Sequence, residues 1–355
     1  MIAYIIRRLL FLPVLLFGAS LVLFGMIQLI SPYTRLGLYV TSPVQLKGGR
    51  EAMDRMLVKY GLTDPPQVRY GRWINSIVHL NFGWSETANS TVLKAFRHRF
   101  PATAELALYT FPLIIWLSIW LGVRAALQHN RWFDQLTRLF STSGYAIPSF
   151  VLGILLLMVF YGLLGKQLAG GPFAGWFEPG RLSQHFINVT SEPSYHWYTG
   201  MITVDALLNG RLDVFWNGLG HLILPVITLA TVSIAGLLRV MRSSMLETLH
   251  QDYVRTARAK GLPEQAVIYK HARRNALIPM ATLIVYLVIG LLGGVVITET
   301  VFGYPGIGQW AAQAALQLDI PAVLFFLTFS TFSVVFADLL IDLLYPILDP
   351  RVRLS

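Results

Sequence analysis

Six long stretches of the sequence contain no Asp, Glu, Lys or Arg, and they constrain the fold more than any other feature. They are residues 9–34, 106–123, 139–165, 214–238, 275–298 and 320–337. A helix needs about 20 mostly apolar residues to cross a bilayer, within a range of about 17–25. Because lipid offers the backbone no hydrogen-bond partner, such segments cross it as helices. The sequence therefore predicts an all-α integral membrane protein with six transmembrane helices, at residues 9–31, 104–124, 138–162, 217–238, 277–298 and 320–344.

Composition supports the same class of protein. Only 13% of the 355 residues are charged and 55% are hydrophobic, whereas a soluble domain carries about 25% charged residues. A soluble enzyme and a disordered chain are thereby excluded. The absence of cysteine excludes disulfide frameworks, zinc fingers and iron–sulfur clusters. The net charge of +10 indicates basic loops at a membrane face rather than nucleic-acid binding.

The distribution of Lys and Arg predicts the orientation in the membrane. Eight of these residues lie in segment 239–274, and further Arg pairs lie near each terminus. Segment 35–99 holds ten, but loops longer than about 60 residues are translocated largely regardless of charge. The sequence therefore predicts a multi-pass protein of the cell (inner or cytoplasmic) membrane with both termini in the cytoplasm.

The spacing of the spans predicts two regions. Residues 1–100 would form the first transmembrane helix and a large extracytoplasmic loop, read as an ordered lid of short helices. In that loop the basic stretch 94–99 would lie at the membrane interface and end at Pro101. Residues 101–350 would form a core of five transmembrane helices with one long basic cytoplasmic loop, 239–275.

The long basic loop carries the most information. Residues 240–260 are good helix formers, Gly261 is expected to stop that helix, and Pro263 to start the next one. Tyr253, Ala257 and Gly261 are spaced four residues apart and would therefore share one face of this helix. Basic side chains would lie on another face. From the residues alone, such a helix either docks into a groove of another protein or rests on anionic lipid.

Several segments together resemble one family, the permease subunits of ABC importers. Segment 252–262 (DYVRTARAKGL), followed by His271 and by RNALIP at 274–279, is similar to the coupling loop, or EAA loop, of the dipeptide/oligopeptide group. The strict E-A-A spelling is absent, but the spacing of Ala257 and Gly261 is present. The agreeing segments elsewhere are RFPATAEL at 99–106, GYAIPSF at 144–150, ETVFGYPGIG at 299–308 and DLLYPILDPR at 342–351.

The resemblance implies a type I ABC importer permease fold with a large extracytoplasmic loop after the first helix, in a B-type subunit. It implies a homologous C-type permease partner, two ABC ATPase subunits that hold ATP and Mg, and an extracytoplasmic substrate-binding protein. It implies no cofactor and no metal in this chain, and it implies di- or oligopeptides as cargo. The alternatives are a non-peptide cargo, such as an oligosaccharide or a nickel complex, or a secondary transporter.

The resemblance also assigns candidate functional residues. Those expected to couple to the ATPase are Tyr253, Arg255, Thr256, Ala257, Arg258, Ala259, Lys260, Gly261 and Leu262. Those expected to anchor the loop against the fifth span are His271, Asn275 and Pro279. The residues themselves suggest further candidates for the translocation pathway or its gate, which are Glu299, Pro305, Gly306, Gly308, Asp338 and Asp342.

Two of these assignments keep an alternative. The outer hairpin 299–319 is either a gate or binding-protein contact, or a rigid turn between two spans. Asp338 and Asp342 either bond polar groups near the inner interface, or one of them lines the pathway and meets the ammonium group of a peptide.

Catalysis by this chain is not expected. ATP hydrolysis needs a phosphate-binding G-x-x-x-x-G-K-[ST] loop, which the sequence lacks, so it would occur in separate ATPase subunits. An intramembrane aspartyl protease needs two Asp on facing helices, whereas Asp338 and Asp342 fall on one predicted helix. The spans are also nearly free of ionisable groups, which disfavours a proton or sodium relay.

Overall fold

The computed structural model describes residues 2–39, 49–168, 171 and 175–348, and most of them are helical. The α-helices are α1 (Ile2–Gln28), α2 (Pro32–Arg35), α3 (Arg50–Lys59), α4 (Pro66–Val78), α5 (Val92–Leu127), α6 (Trp132–Ala146), α7 (Ser149–Leu156), α8 (Gly165–Leu168), α9 (Gln184–Thr190), α10 (Ile202–Leu208), α11 (Leu212–Leu249), α12 (Asp252–Ala259), α13 (Glu264–Ala266), α14 (Arg273–Ala276), α15 (Ile278–Leu292), α16 (Val296–Val301), α17 (Ile307–Leu316) and α18 (Ile320–Leu348). Leu36–Leu38 is a 3₁₀ helix, and Leu157–Leu163 and Val267–Ala272 are π-helical. Strands β1 (Trp84–Ser85) and β2 (Ser90–Thr91) form an antiparallel hairpin in which Trp84 pairs with Thr91.

The transmembrane pattern agrees with the predicted all-α fold class. Within the part of the chain that the structure describes, four helical segments are apolar and long enough to cross a membrane: α5, α11, α15 together with α16, and α18 as far as Ile341. Helix α1 has 27 residues, and among the described residues its apolar part is Pro13–Gln28.

The third predicted span is bent rather than straight. Helix α6 meets α7 and its π-helical continuation at an angle of 98°. The break lies at Ile147 and Pro148, because proline disfavours a helical conformation in the residue before it. Ile147 is extended, with φ −78° and ψ 121°.

Helix α11 is the central helix of the core. It has 38 residues and packs most extensively against α5, with further contacts to α6, α10 and α15. The two long helices approach closely at Gly122, where a Cβ atom would lie 2.6 Å from the Cβ of Met241. A cluster that we call the inner core lies where these helices meet the long basic loop, and its largest buried members include Ile114, Met241, Met245 and Met280.

The segment between α1 and α5 contains the short helices α3 and α4, and short helices are what the sequence predicts there. Helix α4 packs on α1 and α18 through Trp73, Phe24 and Leu324. The basic stretch 94–99, however, belongs to α5, which continues through Pro101. The interpretation that Pro101 ends this stretch is wrong. A Cβ atom on Gly200 would lie 2.9 Å from the Pro101 ring, so the proline forms a close contact with the chain before α10. The predicted regional boundary at residue 100 therefore falls inside a helix.

Candidate functional site

The long basic loop begins later than the sequence indicates. Helix α11 extends to Leu249, and α12 starts at Asp252 after a break at His250 and Gln251. A single helix over 240–260 is therefore wrong. Gln251 is extended, with ψ 149°, which turns α12 away from the axis of α11 and lets it pack back against the inner core.

Helix α12 is attached to this chain's own core by its apolar face. Val254 is fully buried and Ala257 is 7% exposed, and both belong to the inner core together with Met241 and Met245. Tyr253 is half-buried against the same cluster. The expectation that Ala257 presents a small face to a partner is thus corrected, because that side chain already contacts the chain itself.

The exposed side of α12 is polar and basic. It consists of Arg255, Thr256, Arg258, Ala259, Lys260, Gly261 and Leu262. Arg258 donates to Glu264 at 2.7 Å and Arg255 lies 3.5 Å from Asp252. The Arg258 guanidinium lowers the pKa of Glu264 below its usual range through this hydrogen bond. A partner that binds here meets a face of mixed charge at the end of a short helix.

Gly261 ends α12 through its backbone conformation. Its φ is +73°, and its amide donates to the carbonyl of Arg258 at 2.9 Å while the amide of Leu262 donates to that of Ala257 at 3.4 Å. These two bonds form a Schellman motif, which favours glycine at this position. A Cβ atom on Gly261 would have no heavy atom within 4 Å, so the requirement is conformational and the surface around it is open.

The three residues predicted to anchor the loop against the fifth span are largely not buried in that contact. Asn275 is exposed and donates to the carbonyl of His271 at 2.9 Å, one turn earlier. His271 is half-buried and Pro279 is exposed. The buried residues that attach the loop to the core are Val267, Ala272, Ala276 and Met280. Their first interval is five residues because the backbone is π-helical there, so a search for helical periodicity misses them.

Glu299 and two glycines form the junction of the outer hairpin. The Glu299 carboxylate is fully buried and accepts hydrogen bonds from the Thr103 hydroxyl and the Gln309 amide, both at 2.7 Å. It thereby neutralises the amino-terminal end of α17. A Cβ atom on Gly306 would lie 2.3 Å from the carboxylate, and one on Gly308 would lie 2.7 Å from the amide nitrogen of Val296. Gly308 is therefore required by close packing against the backbone, and a side chain at position 306 would displace the buried Glu299 carboxylate from its hydrogen bonds.

Pro305 differs from its neighbours in the hairpin because it is exposed. With Gly303 and Arg181 it borders an outer cavity of about 670 Å³ that is also lined by Tyr195 and Trp197. The hairpin thus combines a tightly packed base with an exposed tip.

A second buried carboxylate, Glu105, holds this region together and was not predicted as a site residue. It accepts hydrogen bonds from Arg181 at 2.7 Å, from the Tyr304 hydroxyl at 2.9 Å, and from the amide and hydroxyl of Thr203, each at 2.7 Å. Burial raises the pKa of Tyr304 well above its usual range, and the Glu105 carboxylate adds to the effect. Four donors from three segments thus converge on one side chain. The available signal was a lone carboxylate at the start of an apolar run.

Asp338 lies on an exposed part of α18, where the Tyr286 hydroxyl donates to it at 2.6 Å. The two residues join α18 to α15. The Asp342 side chain lies outside the described residues. Among the residues that the structure describes, no group of three or more His, Asp or Glu side chains could hold a metal ion.

The fold is that of a multi-helix membrane protein, and comparison with known proteins gives its family. Residues 118–354 match the family described as binding-protein-dependent transport system inner membrane component. The chain belongs to this family, which is a family of transport permeases.

Curated relatives cover nearly the whole chain. The "Probable D,D-dipeptide transport system permease protein DdpB" of Escherichia coli is 38% identical over 87% of this chain and 88% of its own length. The di/tripeptide transport system permease protein DppB of Pseudomonas aeruginosa is 35% identical over 99% of both chains. The oligopeptide transport system permease protein AppB of Bacillus subtilis is 35% identical over 99% of this chain and all of its own length.

Proposed function

We propose that this chain is one permease subunit of an ATP-driven importer and forms half of the translocation pathway for di- or oligopeptides. The observation that carries the proposal is the likeness over full length to permeases whose names specify dipeptides, di- or tripeptides, and oligopeptides. Family membership supports the transport role, and the names of these relatives favour peptides over sugars or nickel complexes.

The proposed assembly contains a homologous C-type permease, two ABC ATPase subunits and an extracytoplasmic binding protein that delivers the peptide. ATP and Mg would be bound by the ATPase subunits, with no cofactor in this chain. Helix α12 is the proposed coupling element. Its core side, Val254 and Ala257, would transmit motion to α11, while Arg255, Lys260 and the open surface around Gly261 would meet the ATPase. Both termini of the chain are proposed to be cytoplasmic.

The reconstituted complex tests this function directly. In proteoliposomes that contain both permeases, the ATPases and the binding protein, a labelled tripeptide should accumulate only with ATP. Accumulation should persist when an uncoupler collapses the ion gradients. Uptake that follows the ion gradient and ignores ATP would instead establish a secondary transporter.

The pair of Tyr286 and Asp338 supports a pathway role for Asp338. An ionised carboxylate is costly against lipid, yet this one is exposed on the face formed by α15 and α18. We propose that this face borders the aqueous pathway and that Asp338 meets the ammonium group of the peptide. Asp338→Asn keeps the shape and removes the charge. It should reduce uptake of free peptides more than of N-acetylated peptides, and equal reductions would exclude the ammonium role.

The exposed tip of the outer hairpin is proposed as a contact for the binding protein. Gly303 and Pro305 border the outer cavity, while Glu299 and Gly306 fix the hairpin beneath it. A cysteine in place of Pro305 should cross-link to the binding protein. Transport that remains normal after bulky modification of that cysteine would indicate a turn that only joins two spans.

A further inference from the structure

A groove on the outside of α5, at the same end of the molecule as the basic loop, has no role in the function proposed above. This inner groove has a volume of about 530 Å³. Its principal lining residues are Pro112, Trp116, Trp120 and Arg124 of α5, with Tyr269 and Arg273 from the segment that follows α13. Trp116 is 62% exposed and Trp120 is 40% exposed. The described part of this chain therefore leaves a large apolar surface uncovered.

The length of the groove matches one leaflet of a bilayer. Pro112 and Arg124 are separated by twelve residues of helix, which corresponds to about 18 Å at a rise of 1.5 Å per residue. Half of a typical hydrocarbon core is about 15 Å thick. An acyl chain that starts beside Arg124 would thus follow the groove to the middle of the membrane.

The charged end of the groove carries two guanidinium groups over aromatic rings. Arg124 lies 4.7 Å from the ring centre of Trp120, and Arg273 lies 5.1 Å from that of Tyr269. Among the described residues, no carboxylate forms an ion pair with either of them. Stacking on a ring leaves the hydrogen-bond donors at the edge of a guanidinium available, and Arg binds phosphate oxygens in this way.

We infer that the inner groove binds one anionic phospholipid of the adjacent leaflet. Its phosphate would lie between Arg124 and Arg273, and an acyl chain would pack along Trp120 and Trp116. Basic pockets between transmembrane helices at the cytoplasmic side are suited to such head groups. Because Arg273 lies near the end of the basic loop 239–275, the bound lipid would join that loop to α5.

Lipid retention by the purified complex tests the inference. The complex is extracted and exchanged into micelles with equal amounts of phosphatidylglycerol and phosphatidylcholine. Native mass spectrometry then measures which lipid remains bound. The wild type should retain phosphatidylglycerol selectively. In the double variant Arg124→Gln and Arg273→Gln, the amount of retained phosphatidylglycerol should fall at least five-fold relative to the wild type. In the corresponding double Lys variant, it should fall less than two-fold.

Arg239 provides the matched control, since its guanidinium also lies over an aromatic ring, that of Tyr145 at 5.5 Å, but does not line the groove. Arg239→Gln should retain the lipid. If the double Gln variant is unstable, Ile115→Trp, which fills the groove and leaves both charges, should displace the lipid instead. Equal retention of phosphatidylglycerol by every variant would overturn the inference. So would loss of the second permease from the double Gln variant with the lipid retained, because the groove would then be a protein interface.

Discussion

Replacement of Glu105 by glutamine should destabilise the protein strongly, because it removes the negative charge and one of the two acceptor oxygens on which four donors converge. The amide oxygen of glutamine can keep the two bonds from Thr203. Its NH₂ group would then face the Arg181 guanidinium, which can only donate, and the Tyr304 hydroxyl, which would have to rotate in order to accept. Arg181 is only 14% exposed, so its charge would remain buried without its partner.

The expected cost follows from these contacts. Removal of one partner of a buried ion pair costs about 3–5 kcal/mol. Arg181 retains a hydrogen bond to the carbonyl of Gly200 at 2.9 Å, so the lower end, about 3 kcal/mol, is expected. Arg181→Met in the Glu105→Gln background should recover part of this loss because it removes the unpaired charge.

Unfolding of the purified full chain in mixed micelles, followed by tryptophan fluorescence as the SDS fraction rises, measures the effect. The matched control is Asp213→Asn, which breaks the exposed pair with Arg211 at 2.8 Å. An exposed ion pair contributes little to stability, so the control should unfold close to the wild type. If Glu105→Gln and the control unfold at the same SDS fraction, the buried cluster does not stabilise the protein as argued.

Three further predictions concern the hairpin and the coupling loop. Gly308→Ala, whose Cβ would lie 2.7 Å from the amide nitrogen of Val296, should strongly reduce the folded protein in fluorescence-detected size exclusion, whereas Gly25→Ala, whose Cβ meets nothing within 4 Å, should elute normally; equal profiles would contradict the close packing. Gly261→Ala should increase hydrogen exchange in α12, because a left-handed conformation costs a residue with a Cβ about 1–2 kcal/mol, and Gly261→Asn should increase it less; identical exchange in both would refute the conformational requirement. Since Arg258 lowers the pKa of Glu264, their ion pair stabilises the loop above the carboxyl's unfolded pKa, about 4.3, and that contribution is lost as the pH falls through the lower folded value. Protection of the loop amides, corrected for intrinsic exchange, should fall over that range, and Glu264→Gln should remove this pH dependence.

The fold class follows from the sequence because apolar length is a local property that lipid enforces. The uncharged run at 139–165 predicts a span, but its bend depends on the conformation of Ile147 before Pro148. Similarly, the residues 240–260 favour a helix individually, yet the chain breaks at Gln251 so that Val254 and Ala257 can reach the core. Tertiary packing decides both features, and the helix propensities of single residues contain no information about that packing.

Features of the candidate site could be predicted from the sequence where they depend only on the backbone conformation of neighbouring residues. Gly261 has the conformation that its position after a helix suggests. Glu105 could not be found in the same way, because its partners are about 80 to 200 positions away in the sequence. The same holds for Asp134, which is buried and accepts a 2.8 Å hydrogen bond from Arg242 across two helices.

Cross-linking from the coupling helix tests the central claim most directly, and the absence of native cysteine makes the experiment clean. Lys260→Cys places a thiol on the exposed end of α12, and Leu316→Cys places one on α17, where the native side chain is 85% exposed. In the assembled transporter, the account predicts that the thiol at position 260 cross-links to an ATPase subunit and that the thiol at position 316 does not. Absence of any ATPase adduct at position 260, in a complex that still transports peptide with ATP, would contradict the assignment of α12 as the coupling element.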